Sequence, residues 1–179
     1  EAEAAGVRQV WMTQGAVTPD TLAIFAAAAV RTDAVRLGTA IVPTYPPHPL
    51  ALAQQALAVA DLAPGRLRLG IGPSHRPTIE GTYGLPMPAP LAHLREYTAV
   101  VRGLLWEGAV DHEGEFFRVR ATLPRRPRVP VLLSTLREGA FRLAGEVGDG
   151  ALSWLCPVPY LLQAAAPALR AGAAAAGRA

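Results

Sequence analysis

Five short aliphatic runs, at positions 7–12, 35–42, 67–72, 131–134 and 151–155, limit what this chain can fold into more than any other feature. Most are continuously apolar, the pattern of strands covered on both faces, as in a parallel sheet. Their starts are offset by 28, 32, 64 and 20 residues. Each gap holds the crossover helix that parallel neighbours require. Helical spacing is visible in two gaps, as Leu91, Leu94, Val101 and Leu104, and as Ala140, Leu143, Ala144 and Val147. Strand and helix therefore alternate, and the class is α/β.

The longest gap exceeds one crossover. Its surplus, an insertion at about positions 108–128, carries a hairpin over residues 110–119 that turns near Glu113-Gly114, and a proline-rich return over 123–130. Residues 1–5 resemble the last turn of a helix, and 160–176 read as a further, alanine-rich helix. A complete barrel of eight strand–helix units takes about 250 residues, so the 179 here read as one domain forming part of such a barrel, cut at both ends, with about five strands. Open sheet edges are expected to promote edge pairing or aggregation of such a piece.

Composition narrows the function classes. Hydrophobic residues make up 51% and charged residues 17%, enough to fill a core and too apolar for a disordered chain. The single cysteine, Cys156, excludes an internal disulfide and a cysteine-rich zinc site, which fits a reducing cytoplasm. The longest apolar run, over 23–30, is too short to cross a bilayer, and the acidic amino terminus is unlike a secretion signal. All 17 basic residues are arginine, scattered apart from Arg125, Arg126 and Arg128, so no nucleic-acid surface is expected. No histidine, aspartate and glutamate spacing matches a metal site.

In parallel α/β folds ligands gather at the carboxyl ends of the strands. Gly70 and Gly72 flank Ile71 at one such end, where missing side chains admit a flat ring or another backbone, or allow a turn with positive φ. The pattern lacks the third glycine of a dinucleotide fingerprint. Ser134-Thr135 stand between a strand and a helix, either as that helix's N-cap or as an anion pocket to which Arg137 adds charge. His75 follows Gly72-Pro73-Ser74 at a strand end and is the candidate proton carrier, with Glu80 as a carboxylate in the following loop. His48 reads as part of a helix entry turn, and His93 and His112 as polar-surface residues. Cys156 has no histidine partner and no G-x-S-x-G elbow is present.

Taken together these strand ends resemble the luciferase-like flavin and deazaflavin oxidoreductases. The resemblance rests on RLGTAIVPTYPPHPL from Arg36 to Leu50, GRLRLGIGPSH from Gly65 to His75, HEGEFF from His112 to Phe117 and LAGEVGDG from Leu143 to Gly150. VPTYP, GPSH and EGTYG, the last from Glu80 to Gly84, are most similar to the branch that uses coenzyme F420.

The resemblance implies a (β/α)8 barrel of which this chain holds the second to sixth strands. It also implies a cofactor site in which Thr39, Ala40, Ile41, Val42 and Pro43 line the deazaflavin ring from one side. Gly72, Pro73, Ser74 and His75 line it from another, and Ser134, Thr135, Leu136 and Arg137 approach its phosphate. A non-proline cis peptide is expected between Thr39 and Val42. Gln14 occupies a place where relatives often carry histidine or an acid, which moves proton handling to His75. The implied reaction is hydride transfer between coenzyme F420 and a small-molecule substrate, in a protein dimeric at full length. An FMN-dependent monooxygenase on the same barrel and a non-catalytic relative are the alternatives.

Overall fold

The computed structural model describes residues 1–178. Each aliphatic run is a strand: β1 (Gln9–Met12), β2 (Arg36–Thr39) with β3 (Val42–Pro43), β4 (Leu67–Gly72), β7 (Val131–Thr135) and β8 (Gly150–Ser153). They lie side by side in chain order, β1-β2-β4-β7-β8, with β3 also on β4, and every pairing among them is parallel. Helices α1 (Thr21–Ala29), α2 (Pro49–Leu62), α3 (Pro90–Arg102) and α4 (Glu138–Val147) supply the crossovers, and α5 (Val158–Tyr160) and α6 (Ala166–Ala175) follow β8. Because neighbours in sequence are neighbours in space throughout, the sheet curls in one direction as half of a (β/α)8 barrel.

The run over 35–42 is two strands, not one. Leu37 and Gly38 pair with Leu67 and Arg68, but Val42 and Pro43 pair with Ile71 and Gly72, so one residue is extra on the β2–β3 side. Such a bulge re-aims the chain. Its cause is Thr39, whose hydroxyl accepts from the Gly70 N–H and donates to the Gly70 carbonyl, both at 2.8 Å. A side chain thereby occupies the groups that backbone pairing would otherwise use. The expected non-proline cis peptide is present, between Ala40 and Ile41.

Strand faces divide cleanly. Leu67, Leu69 and Ile71 point into the main core with Leu37, Val131 and Leu133, packed under the helices. Alternate residues take the inner face of the half-barrel, where large side chains fill the space glycines leave. The Trp11 ring lies over Gly38, and Leu132 lies over Gly150 at 3.2 Å from a hypothetical Cβ.

Local sequence explains the helix starts. Asp20 caps α1 through its carboxylate, which accepts from Ala23 N–H at 2.8 Å. His48 caps α2, with its Nδ1 accepting from Leu50 N–H at 3.2 Å and Pro49 in the first turn, as the entry-turn reading anticipates. Gly145 and Gly172 let α4 and α6 touch backbone to backbone: a Cβ on either would strike a carbonyl of the other helix, Leu169 or Arg142. That contact holds the alanine-rich tail as a helix.

The segment between α3 and β7 holds an antiparallel hairpin, β5 (Ala109–Glu113) and β6 (Arg118–Thr122), longer than the 110–119 expected and turning over residues 114–117. Its turn is held by the Glu96 carboxylate, which accepts from the N–H groups of Glu115, Phe116 and Phe117 at 2.9, 3.0 and 3.3 Å. His93 and His112 are not surface residues. His93 is 5% exposed and stacks on Tyr45, centroids 3.9 Å apart, while His112 is half-buried 3.3 Å from Glu96. The hairpin folds Phe116 and Phe117 back over α3, so a helix face that looks polar in sequence is covered.

Candidate functional site

The carboxyl ends of the parallel strands share one side of the sheet, and the loops after β1, β3, β4, β7 and β8 meet there. Gly72 stands at the centre. A Cβ built on it would run into the Ser134 hydroxyl, lie 2.7 Å from Ser134 Cβ and touch Ile41 Cδ1 at 3.4 Å. A Cβ on Gly70 would overlap the Thr39 carbonyl oxygen and come to 2.5 Å from Leu152 Cδ1. Neither glycine has a positive φ, so close approach and not a turn is their reason.

Not every residue expected at the ring is available to it. Thr39, Val42 and Pro43 are buried, Thr39 with its hydroxyl committed to Gly70, and of this segment only Ala40 and Ile41 keep accessible surface. The bulge is the physical reason, since it turns the flanking side chains into the sheet. Pro73 and Ser74 are half-buried, and Ser74 takes φ +63°, which bends the chain away from the strand. His75 is exposed, and its carbonyl accepts from Thr78 and Ile79 N–H at 3.0 Å each, opening a π-helical turn over Pro77–Thr82. Glu80 lies in that turn and pairs with Arg76, not with His75. Gln14 accepts from Thr21 N–H at 3.3 Å, tying the end of β1 to the start of α1.

At the end of β7, Ser134 borders Gly72, while Thr135 is buried with a hydroxyl that has no partner among the described residues. Neither is an N-cap. The helix begins at Glu138 with Arg137 in the cap position and no side-chain cap, so its amino end is open beside an exposed arginine. Partial positive charge of the helix start and the guanidinium act in the same sense on an anion.

The sequence assigns no role to the aromatics of this mouth. Trp11 is 40% and Trp154 51% exposed; Trp11 falls in the inward register of β1, and Trp154, one residue past β8, continues the alternation of Gly150 and Leu152. Trp154 N–H donates to the Thr135 carbonyl at 3.0 Å, and Cys156 Sγ lies 3.7 Å from the Leu136 carbonyl oxygen, so the loops after β7 and β8 are adjacent. Tyr45, after β3, donates its hydroxyl to the Pro88 carbonyl at 2.6 Å, and the pKa of its stacking partner His93 is pushed down to about 4 by burial, against the opposing pull of Glu96.

The arrangement offers a closely packed floor of short side chains over Gly70 and Gly72, bordered by an accessible bulge, and an open helix end for an anionic group. Among the described residues no cluster of three or more metal-ligating side chains occurs, and no helix is long and apolar enough to cross a membrane.

Comparison with known proteins gives the family. The chain is 41% identical over 150 residues to an F420-dependent glucose-6-phosphate dehydrogenase of Beutenbergia cavernae, covering 79% of this chain and 44% of that protein. In structure it is similar to the coenzyme F420-dependent tetrahydromethanopterin reductase of Methanopyrus kandleri, with a TM-score of 0.87, 25% identity, and coverage of 99% of this chain and 56% of that one. A similar likeness, with a TM-score of 0.86, 25% identity and coverage of 99% and 58%, links it to an F420-dependent secondary alcohol dehydrogenase solved with an F420-acetone adduct. The chain spans about half the length of the curated relatives it matches. With a parallel half-barrel, and with the luciferase-like monooxygenase sequence model matched over residues 1–179, the chain belongs to the luciferase-like monooxygenase family.

Proposed function

We propose that the protein is an oxidoreductase that moves a hydride between coenzyme F420 and a small organic substrate. The observation that carries this reading is the floor at the strand ends, where Thr39, Ile41, Ser134 and Leu152 close over Gly70 and Gly72 so tightly that no further side chain rises between the strands. A flat ring laid on that floor would meet the short Ser134 side chain and Ile41, and Ala40 and Ile41 keep the accessible surface to back it. The residues present therefore fit the group. Ser134, the orphaned Thr135 hydroxyl, Arg137 and the open start of α4 offer donors to its phosphate. Identity of 41% to a protein named as F420-dependent supports the same cofactor.

Bound coenzyme F420 supplies the difficult chemistry: two electrons and a proton pass as hydride between its ring and a substrate carbon, while a second proton enters or leaves on a protein group. This chain's own work is to orient and to handle that proton. His75, exposed just beyond Ser74, is the group of suitable chemistry for the transfer. Gln14 and Glu80 are engaged elsewhere, by Thr21 N–H and by Arg76, and act as positioning residues. In the cell the whole protein acts in the cytoplasm as a homodimer on a small molecule, without nucleic acid.

The test is a paired fluorescence titration with coenzyme F420 and with FMN. Micromolar or tighter F420 binding that Gly72→Val abolishes, with FMN excluded, is expected. Preference for FMN, with oxygen consumed during turnover, would transfer the protein to the monooxygenase reading, and binding of neither would overturn both.

A further inference from the structure

The loop beyond the bulge is braced from outside the sheet. β3 is two residues long, and Pro43 has no N–H to give the ladder. Thr44 N–H, just past it, donates to the Gly72 carbonyl at 2.9 Å. Pro43, Pro46, Pro47 and Pro49 then restrict the backbone on the way to α2, so the connection is a stiff strut and not a slack loop. Whatever grips this strut sets the angle of the bulge, where Ala40 and Ile41 keep accessible surface.

Side chains do the gripping. The Tyr45 ring stacks on His93 with 5° between the planes, and its hydroxyl is tied to the Pro88 carbonyl. Tyr97, fully buried, donates to the Pro47 carbonyl at 3.1 Å, and His48 meets Phe117 edge-on at 5.8 Å. Behind His93 stand Phe116 and Phe117, with ring centroids 5.5 and 5.2 Å from its own. Both phenylalanines belong to the turn of the β5–β6 hairpin, which the Glu96 carboxylate fastens to α3. Burial keeps His93 neutral, and its Nδ1 has no partner among the described residues, so its flat face and not its charge is what Tyr45 meets.

Coupling travels through packed side chains when each is held by the next. Resting on the F420 reading for the bound ring, we infer that the β5–β6 hairpin buttresses the cofactor site: Phe116 and Phe117 brace His93, His93 braces Tyr45, and Tyr45 fixes the bulge against which the ring lies. Tyr45 and His93 are positioning residues. They act on the cofactor through Ala40 and Ile41.

The test measures coenzyme F420 affinity by fluorescence titration and, without cofactor, hydrogen exchange at the Thr44 amide by NMR. Loss of a stacked aromatic contact corresponds to about three- to tenfold in an equilibrium. Tyr45→Ala, His93→Ala and Phe117→Ala should each weaken F420 binding by about that factor and speed Thr44 exchange by about as much. Combining Tyr45→Ala with His93→Ala should do no more than the larger single change, because the two remove one contact. Tyr45→Phe and His93→Phe keep a flat ring and should hold both readouts at the parental level. Trp106→Phe is the control: it gives up the hydrogen bond to the Val129 carbonyl at 2.8 Å, beyond the amino end of β7, and should lower the urea midpoint while F420 affinity and Thr44 exchange stay unchanged. Parental affinity and exchange in Phe117→Ala would overturn the inference, as would equal weakening by Trp106→Phe, since general loss of stability would then explain the effect. Weakening by Tyr45→Ala alone would make Tyr45 a cofactor contact and remove the hairpin from the site. Absence of F420 binding by the parent would overturn the proposed function alone, because Thr44 exchange still decides whether the hairpin holds the bulge.

Discussion

Replacing Gly72 by alanine tests the floor directly. The added Cβ would meet Ser134 on the adjacent strand, and rotation of Ser134 can move its hydroxyl away but not its Cβ, which stays 2.7 Å distant. An ordinary contact begins near 3.4 Å, so β4 and β7 must separate locally by about 0.7 Å, in a sheet where Ile71 and Leu133 are paired one residue earlier. Overpacking of this kind costs about 1–3 kcal/mol. With a urea slope of about 2 kcal/mol/M, a loss of 2 kcal/mol lowers the midpoint by about 1 M at unchanged slope. Because the displaced strands form the floor itself, F420 affinity should fall about tenfold or more, each tenfold being about 1.4 kcal/mol. The assay is a urea melt paired with an F420 titration, for Gly72→Ala, Ser134→Gly and the double variant. The double variant should recover most of the stability lost by Gly72→Ala, since Ser134→Gly removes the colliding atoms. Gly72→Ala with parental midpoint and affinity, or a double variant showing only additive losses, would refute the reasoning.

Thr39→Val keeps shape and removes the hydroxyl that satisfies both polar groups of Gly70, so thermal or urea melts should show a loss of about 2–4 kcal/mol, against less than about 1 kcal/mol for Thr39→Ser. His93 is neutral in the folded protein down to about pH 4, whereas it protonates near its ordinary 6.5 when unfolded. Stability should therefore fall as pH drops from 6.5 to 4, by up to about 3 kcal/mol, and subtracting the curve for His93→Phe should isolate that loss. Burial alone would raise the Glu96 carboxyl, but the N–H groups of Phe116, Glu115 and Phe117 and the His112 ring outweigh it and hold it below its usual value. Its contribution is present at neutral pH and lost as pH falls through that depressed value, so Glu96→Gln should be less stable by about 1–2 kcal/mol at pH 7 and should flatten the acid limb of the stability curve.

Much of the candidate site was legible because strand ends are legible. Ala40, Ile41, Gly72 and Ser134 lie together as the alternation of strand and helix required. The roles of individual side chains were less so. Thr39 reads as a ring-lining residue until its hydroxyl is seen bonded to Gly70, and Ser134-Thr135 read as an N-cap until α4 is seen to start three residues later, at Glu138. Trp11 and Trp154 matter only once the inner face of the half-barrel is known.

By itself the amino-acid sequence determined the α/β class, the parallel order, the hairpin and the position of the mouth, because continuous apolar runs, their spacing and turn residues act locally along the chain. Tertiary structure alone decided the extra residue between β2 and β4, the cover of Phe116 and Phe117 over His93, and the backbone contact of α4 with α6 at Gly145 and Gly172. Each depends on atoms from segments far apart in sequence. A glycine's purpose, or a histidine's charge, is set by whichever neighbour arrives beside it, and no period in the chain records that arrival.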